Sequence, residues 1–195
     1  MYLVKLICDL SYKVEGLENI PKKGPFVIMA NHQSFWDNVI MPVLFPMQSW
    51  IIKKQLLDIP VFGLGLKLMD PIALDRTNAM SVRKILQDGA KKLKNGLCVM
   101  IFPESTRLRP DQTIPFKPAG ATLAYQNNVP IVPMAHNAGL FWPKGFWIRP
   151  GLITVRIGKP IVPNHERTSR ELNKEVEDWV VENKNLLCSQ KQTSI

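Results

Sequence analysis

The sequence lacks the features that mark membrane-spanning, secreted or metal-binding proteins. No run among its 195 residues reaches the roughly 18 consecutive apolar residues of a membrane-spanning helix, and residues 1–14 show no signal-peptide cleavage pattern. The three cysteines are far apart and have no metal-ligand spacing, which indicates reduced thiols in a cytosolic compartment. We therefore expect a protein without a metal site, which lies on a membrane rather than across it if it meets one.

Several catalytic signatures are also missing. The sequence has no G-x-S-x-G nucleophile elbow and no P-loop, and Gly63 and Gly65 lack the third glycine of a dinucleotide fingerprint. Nothing indicates a covalent nucleophile or a bound cofactor. An enzyme of this kind would have one general base and an activated donor, and a thioester is such a donor.

The charge is strongly basic. Lys and Arg number 25 against 16 Asp and Glu, which gives a net charge of +9. Such an excess is typical of proteins that meet nucleic acid, an anionic membrane or a phosphorylated substrate, but also of a basic surface without a partner. No nucleic-acid recognition motif is present, so we expect no nucleic-acid partner. A nucleic-acid-binding protein is an alternative that only the net charge supports.

Short apolar runs that alternate with helical patterns predict an α/β protein with a mostly parallel central sheet flanked by helices. One domain is expected over 1–195, with a short lead-in at 1–13. The strands are predicted at 26–30, 99–102, 131–135 and 153–158, the last near an edge with one wet face, and less clearly at 49–52 and 71–74. The helices are predicted at 79–94 and at about 168–188, where Thr168 and Glu171 form a capping-box pattern.

The segment NHQSFWD, residues 31–37, follows the first predicted strand and holds the candidate general base. Ser34 is a plausible helix N-cap, which would place Asp37 in the first helical turn within reach of His32. A carboxylate that fixes the tautomer of an imidazole makes that imidazole a base. The alternative is that Asp37 only caps the helix. The other two histidines are interpreted as the end of a strand, His136, and a surface loop, His165.

The segment FPESTR, residues 102–107, follows another predicted strand and would reach the same edge of the sheet. Arg107 offers a planar fork of donors suited to a phosphate, and Glu104 could orient Arg107 or the loop backbone. A purely structural Glu104–Arg107 ion pair is the alternative. The segment DPIALDR, residues 70–76, is a weaker candidate of the same kind and ends in Arg76.

Four segments in this order resemble the motifs of the glycerolipid acyltransferase family, in particular its bacterial 1-acylglycerol-3-phosphate acyltransferases. They are NHQSFWD, DPIALDR, FPESTR and VPIVPM (residues 129–134). The resemblance implies a glycerol-3-phosphate acyltransferase-like fold, catalysis by His32 and Asp37, and substrate binding by Arg76, Glu104, Ser105, Thr106 and Arg107. Ser105 stands where the family usually has glycine, and if the turn needs a positive φ there, serine is less favourable than glycine or the loop has a different shape.

The resemblance also implies the reaction. Acyl-CoA or acyl carrier protein would give its acyl group to the free hydroxyl of lysophosphatidic acid, and the product would be phosphatidic acid. The expected location is the cytoplasmic face of the inner membrane, with the aromatic residues of 140–150 either at the lipid headgroups or in the core. Alternatives are a related acyltransferase with another lyso-lipid acceptor and an acyl-thioester hydrolase.

Overall fold

A seven-stranded sheet forms the centre of the protein. In the computed structural model, the described residues are 2–45, 47–68, 70–74, 81–145, 147–164 and 166–189. The strands are β1 (Leu10–Glu15), β2 (Val27–Ala30), β3 (Gln48–Lys53), β4 (Ile72–Leu74), β5 (Cys98–Ile101), β6 (Ile131–His136) and β7 (Gly151–Ile157). Their order across the sheet is β1-β7-β6-β2-β5-β3-β4.

The predicted α/β class and mostly parallel sheet are confirmed. The five strands from β6 to β4 are parallel to one another, whereas β7 pairs with β6 in the antiparallel direction. β7 lies near an edge as predicted, next to the edge strand β1. The predicted wet face is wrong in part, because Thr154 is buried and Arg156 is half-buried against Asn183 of a C-terminal helix.

Helices cover both faces of the sheet. They are α1 (Tyr2–Cys8), α2 (Trp36–Leu44), α3 (Phe62–Leu68), α4 (Ser81–Lys94), α5 (Ala119–Asn127) and α6 (Ser169–Ser189). Successive side chains of β2 point to opposite faces, so that Ile28 packs into one apolar cluster with Trp36 of α2, and Met29 into a second with Leu123 of α5. Burial of both faces explains why the central strands are continuously apolar.

Two predicted boundaries can be compared with the structure at the chain ends. The capping box of α6 is confirmed, because the Thr168 N–H donates to Glu171 Oε2 at 2.7 Å and the Glu171 N–H donates back to Thr168 Oγ1 at 3.2 Å. In the predicted lead-in at 1–13, the described residues form α1 and most of β1, which belongs to the sheet.

The topology brings three loops to one edge of the sheet. Because β2, β5 and β6 are parallel, the loops that follow Ala30, Ile101 and His136 all begin at the same edge, which we call the carboxyl edge. β1 runs in the opposite direction, so α1 also lies at this edge. Within the described residues, none of the helices is both long enough and apolar enough to cross a bilayer.

Candidate active site

The predicted contact between His32 and Asp37 is present at the carboxyl edge. Asp37 lies in the first turn of α2, fully buried, and its Oδ2 is 2.8 Å from His32 Nδ1. The same oxygen accepts the backbone N–H of Gln33 at 2.9 Å and that of Ser34 at 3.0 Å. Three donors therefore bind one carboxylate oxygen. Because the two backbone donors restrain the carboxylate of Asp37, that carboxylate in turn fixes the orientation of the His32 ring.

This hydrogen bond determines which nitrogen of His32 can act as a base. A carboxylate only accepts hydrogen bonds, so in the neutral ring the proton lies on Nδ1 and the lone pair on Nε2. The side chain is 15% exposed, which leaves a small part of the ring open to a substrate. The arrangement is that of a general base with an orienting carboxylate.

Asp37 also acts at the start of α2, together with Ser34. The helix begins at Trp36, and Phe35 before it already has helical φ and ψ and makes no side-chain capping bond. Ser34 Oγ accepts the Trp36 N–H at 3.0 Å, while the Asp37 carboxylate accepts the Ser34 N–H. These reciprocal bonds are the capping predicted for Ser34 and Asp37. The capping and orienting interpretations of Asp37 are both satisfied by one carboxylate.

Asp37 is held as an anion although it has no exposure to solvent. Burial raises the pKa of Asp37, but the neighbouring imidazole of His136 and the hydrogen bonds from His32 and Ser34 outweigh burial and leave the pKa below its usual value. An ionised Asp37 can stabilise positive charge as it forms on His32.

The loop after β5, which contains the FPESTR segment, clasps His32 from the other side. Glu104 Oε2 accepts the backbone N–H of His32 at 2.7 Å, and the Leu108 N–H donates to the carbonyl oxygen of His32 at 2.9 Å. The Phe102 ring stacks on the imidazole with 4.0 Å between centroids. Glu104 thus orients the base, and the ion pair with Arg107 considered above is not among the contacts of the described residues.

The rest of this loop presents polar groups to solvent. Ser105 has a φ of 60°, so the turn adopts the left-handed conformation although serine stands in place of the usual glycine. Thr106 and Arg107 are exposed, and no carboxylate of the described residues pairs with the Arg107 guanidinium. Arg107 is therefore available to an anionic ligand. The other predicted phosphate ligand, Arg76, lies outside the described residues.

Two residues near the site had no signal in the sequence. Lys184 of α6 is buried and donates to the Gln112 carbonyl at 2.8 Å and to Thr113 Oγ1 at 2.9 Å, which anchors the far end of the loop after β5. His136 does end β6 as predicted, but it also lies beside Asp37. Both contacts join segments more than 70 residues apart, and no local pattern could reveal them.

A family model described as acyltransferase matches residues 11–137, a range that includes β1 to β6 and both motif loops. The chain belongs to the acyltransferase family. It is 40% identical over 186 residues to the 1-acyl-sn-glycerol-3-phosphate acyltransferase of Pseudomonas aeruginosa, an alignment that covers 93% of this chain and 72% of that relative. The family suggested by the four motifs is confirmed.

Other members of the acyltransferase family extend the comparison. The enzyme of the same name from Saccharomyces cerevisiae is 34% identical over 166 residues, which cover 82% of this chain and 54% of the yeast protein. The crystal structure of the 1-acyl-sn-glycerophosphate (LPA) acyltransferase PlsC from Thermotoga maritima is 31% identical and matches with a TM-score of 0.80 over 96% of this chain and 76% of that one. The predicted fold is therefore that of a solved family member.

Glu104 leads to a prediction about stability. Burial raises its pKa from 4.5 to about 7, with the nearby charge of Asp37 acting in the same direction against the His32 N–H and Lys184. Between pH 4.5 and about pH 7, the carboxyl group of Glu104 is protonated in the folded protein but ionised in the unfolded chain. The stabilisation from this bound proton is therefore complete below pH 4.5 and is lost as the pH rises through about 7. Glu104→Gln removes this titration. From pH 5 to pH 8.5, the free energy of unfolding of the variant should therefore rise by about 2–3 kcal/mol relative to that of the unmutated protein.

Urea unfolding at the two pH values measures this difference. Glu182→Gln, at an exposed glutamate of α6, is the matched control, and its difference from the unmutated protein should be the same at both pH values. A Glu104→Gln protein whose relative stability does not change with pH would contradict the assignment.

Proposed function

We propose that this acyltransferase moves an acyl group from a thioester, carried by coenzyme A or acyl carrier protein, to the free hydroxyl of lysophosphatidic acid, with phosphatidic acid as product. The observation that supports this most directly is the His32–Asp37 pair, which lies at the same edge as the exposed guanidinium of Arg107, a cation that pairs with no carboxylate of the described residues. The names of the Pseudomonas and Thermotoga relatives agree with this acceptor.

The chemistry follows from the two ends of the His32 ring. Nε2 takes the proton of the acceptor hydroxyl as its oxygen attacks the thioester carbonyl, while Asp37 stabilises the imidazolium through Nδ1. When the tetrahedral intermediate collapses, the carbon–sulfur bond breaks and the imidazolium gives its proton to the leaving thiolate. The dyad is thereby returned to its starting state without a covalent enzyme intermediate.

Arg107 favours a phosphate-bearing acceptor over the alternatives. A phosphate monoester needs a fixed cation, and Arg107 lies within the loop that holds His32, between Glu104 and Leu108, so a phosphate bound there would lie near the base. A thioester hydrolase would need no such cation for water. A neutral lyso-lipid would also make no use of it. Arg76, the second expected ligand, remains part of the proposal.

The first test concerns the base and its carboxylate. His32→Ala should leave the fold intact and abolish acyl transfer from a thioester to lysophosphatidic acid, because no other group takes the hydroxyl proton. Asp37→Asn keeps most of the size of the side chain but loses its charge, and turnover should fall by about 10²-fold or more. Product mass after incubation with a panel of lyso-lipids and both donor types measures transfer. Near-normal turnover in a folded His32→Ala protein is incompatible with this mechanism.

The second test concerns the acceptor phosphate. Arg107→Lys should raise the KM for lysophosphatidic acid about tenfold and leave the KM for the donor unchanged, because lysine keeps the charge but loses the planar fork. Arg109→Lys is the matched control, since Arg109 is two residues away and already contacts Asp111 at 3.3 Å. A change confined to the KM of the donor would place Arg107 at the phosphates of the thioester carrier instead.

We also propose that the carboxyl edge docks on an anionic membrane at the cytoplasmic face of the inner membrane. Phe141 is buried in the core and Trp142 is half-buried against Phe35, so these two aromatics are mainly structural. Trp147, in contrast, is 85% exposed. Phe146 lies outside the described residues.

Two other helices at this edge also carry exposed apolar side chains. Ile7 of α1 is 77% exposed, and Leu64 of α3, which follows the carboxyl end of β3, is 65% exposed. Together with Trp147 they form what we call the docking residues, and exposed Lys5, Lys67 and Lys144 belong to the same segments. Apolar side chains among cations suit the headgroup level of an anionic bilayer, where a lipid substrate could enter the site.

Vesicle binding tests the docking residues. The triple variant Ile7→Ser, Leu64→Ser, Trp147→Ser should bind phosphatidylglycerol-containing vesicles at least about tenfold more weakly, and binding of the unmutated protein should weaken as salt rises. The control is the double variant Leu17→Ser, Val162→Ser, whose residues are also exposed but lie at the opposite edge of the sheet. Equal binding by both variants would contradict this orientation.

A further inference from the structure

His136 is a fully buried histidine that the proposed reaction does not use. It ends β6, the neighbour of the strand that leads to His32. Its Nε2 is 3.5 Å from Asp37 Oδ1, on the opposite side of the carboxylate from His32. Asp37 therefore lies between two imidazoles, one partly open to solvent and one enclosed in the core.

The hydrogen bonds of His136 determine its tautomer. Its Nδ1 faces the Ala138 N–H at 3.3 Å and must accept, whereas its Nε2 lies 2.9 Å from the carbonyl oxygen of Asn31 and must donate. Burial lowers the pKa of His136 in spite of the opposing pull of Asp37, which favours a neutral ring. A neutral imidazole donates its Nε2 proton to the Asn31 carbonyl, and the same Nε2 lies 3.5 Å from Asp37 Oδ1, so that the N–H dipole acts on the carboxylate electrostatically rather than by a hydrogen bond.

The N–H dipole of His136 can stabilise the negative charge of Asp37. Its Oδ2 already accepts three hydrogen bonds, but its Oδ1 is buried and has no hydrogen-bond partner among the described residues. A buried carboxylate oxygen without a donor is costly to keep ionised. The nearest compensation that the described residues supply is Nε2–H of His136 at 3.5 Å.

His136 also fixes the backbone from which His32 projects. The side chain of Asn31 spans from β2 to β6, where its Nδ2 donates to the His136 carbonyl at 3.0 Å and its Oδ1 accepts the His136 N–H at 3.0 Å. With the ring bond to the Asn31 carbonyl, three hydrogen bonds join these two residues. Asn31 directly precedes His32, so movement of His136 would move the base.

We infer that His136 is a positioning residue for acyl transfer, which acts on the carboxylate of Asp37 through its Nε2–H and on His32 through Asn31. The inference rests on the proposed function for its kinetic consequences only, since the geometry holds whatever the acceptor is. A histidine with a purely structural role, packed edge-on against Trp36 at 6.1 Å, would affect stability without affecting the dyad.

The inference predicts how protonation of the dyad changes. Without the dipole of His136, the state with neutral His32 and ionised Asp37 loses stabilisation, whichever of the two residues then takes a proton. Protonation should therefore occur at a higher pH, and activity should be lost earlier on the acid side. Among the described residues, the other titratable groups near the dyad are Glu104 of the loop after β5 and, beyond it, Lys184 and Cys188 of α6, the last in contact with Gln33, and all three remain in place.

The experiment compares His136→Phe, which keeps a ring without a donor, with His136→Gln, which keeps an N–H. In the Phe variant kcat should fall about tenfold or more, the KM values for donor and acceptor should stay within about twofold, and the acid limb of the rate profile should move up by about half a pH unit. The Gln variant should recover most of both losses. A folded Phe variant with unchanged kcat and acid limb would overturn the inference.

Nuclear magnetic resonance separates this inference from the proposed function. The chain has only three histidines, so ring-nitrogen labelling follows the titration of the dyad without any substrate. If no lyso-lipid is acylated by the unmutated protein, the proposed function fails, but an upward shift of the titration midpoint in His136→Phe still supports the inference. If the Phe variant does not fold, a folded Gln variant with a tenfold lower kcat and an unshifted titration overturns it.

Discussion

The site depends on one constraint, which is that the carboxylate of Asp37 must stay ionised inside the protein. Ionised carboxylates are strongly disfavoured in the core unless donors replace the water they lose. Asp37 obtains these donors from its own chain segment, because the backbone between His32 and α2 turns its N–H groups of Gln33 and Ser34 toward Oδ2. The conformation of the turn and the orientation of His32 are therefore consequences of the same electrostatic requirement.

A second carboxylate in the same site shows the opposite behaviour for the same physical reason. Glu104 is also buried, but among the described residues its carboxylate accepts a hydrogen bond from one backbone donor, the His32 N–H, and its pKa is raised. The imidazole of His136 and the larger number of donors separate Asp37, whose pKa lies below the usual value, from Glu104, whose pKa lies above it. Asp37 can thus support charge on the imidazole, while Glu104 can hold the backbone of His32 without requiring a charge of its own.

Much of this arrangement could be predicted from the sequence, and the limit is physical. Buried strands such as β2 and β6 are visible as continuous apolar runs, and the His32–Asp37 contact is local, separated by five residues. β1 was missed because Lys13 and Glu15 give it a polar face that resembles a lead-in, and only its pairing with β7 makes it a strand. Lys184 and His136 reach the site through tertiary contacts, which single-sequence patterns do not encode.

The position of the site at the carboxyl edge also explains why the FPESTR loop is so constrained. A parallel sheet delivers the end of β5 next to the end of β2, so Phe102 and Glu104 meet His32 without a long connection. Residues beyond them must then turn outward, and Ser105 does so with a positive φ, which places Thr106 and Arg107 in solvent. The same loop thus holds His32 through Phe102, Glu104 and Leu108, and it leaves the exposed guanidinium of Arg107, directly before Leu108, open to an anionic ligand. Because contacts with His32 lie on both sides of Arg107, the orientation of the imidazole is tied to the place where an anion could bind.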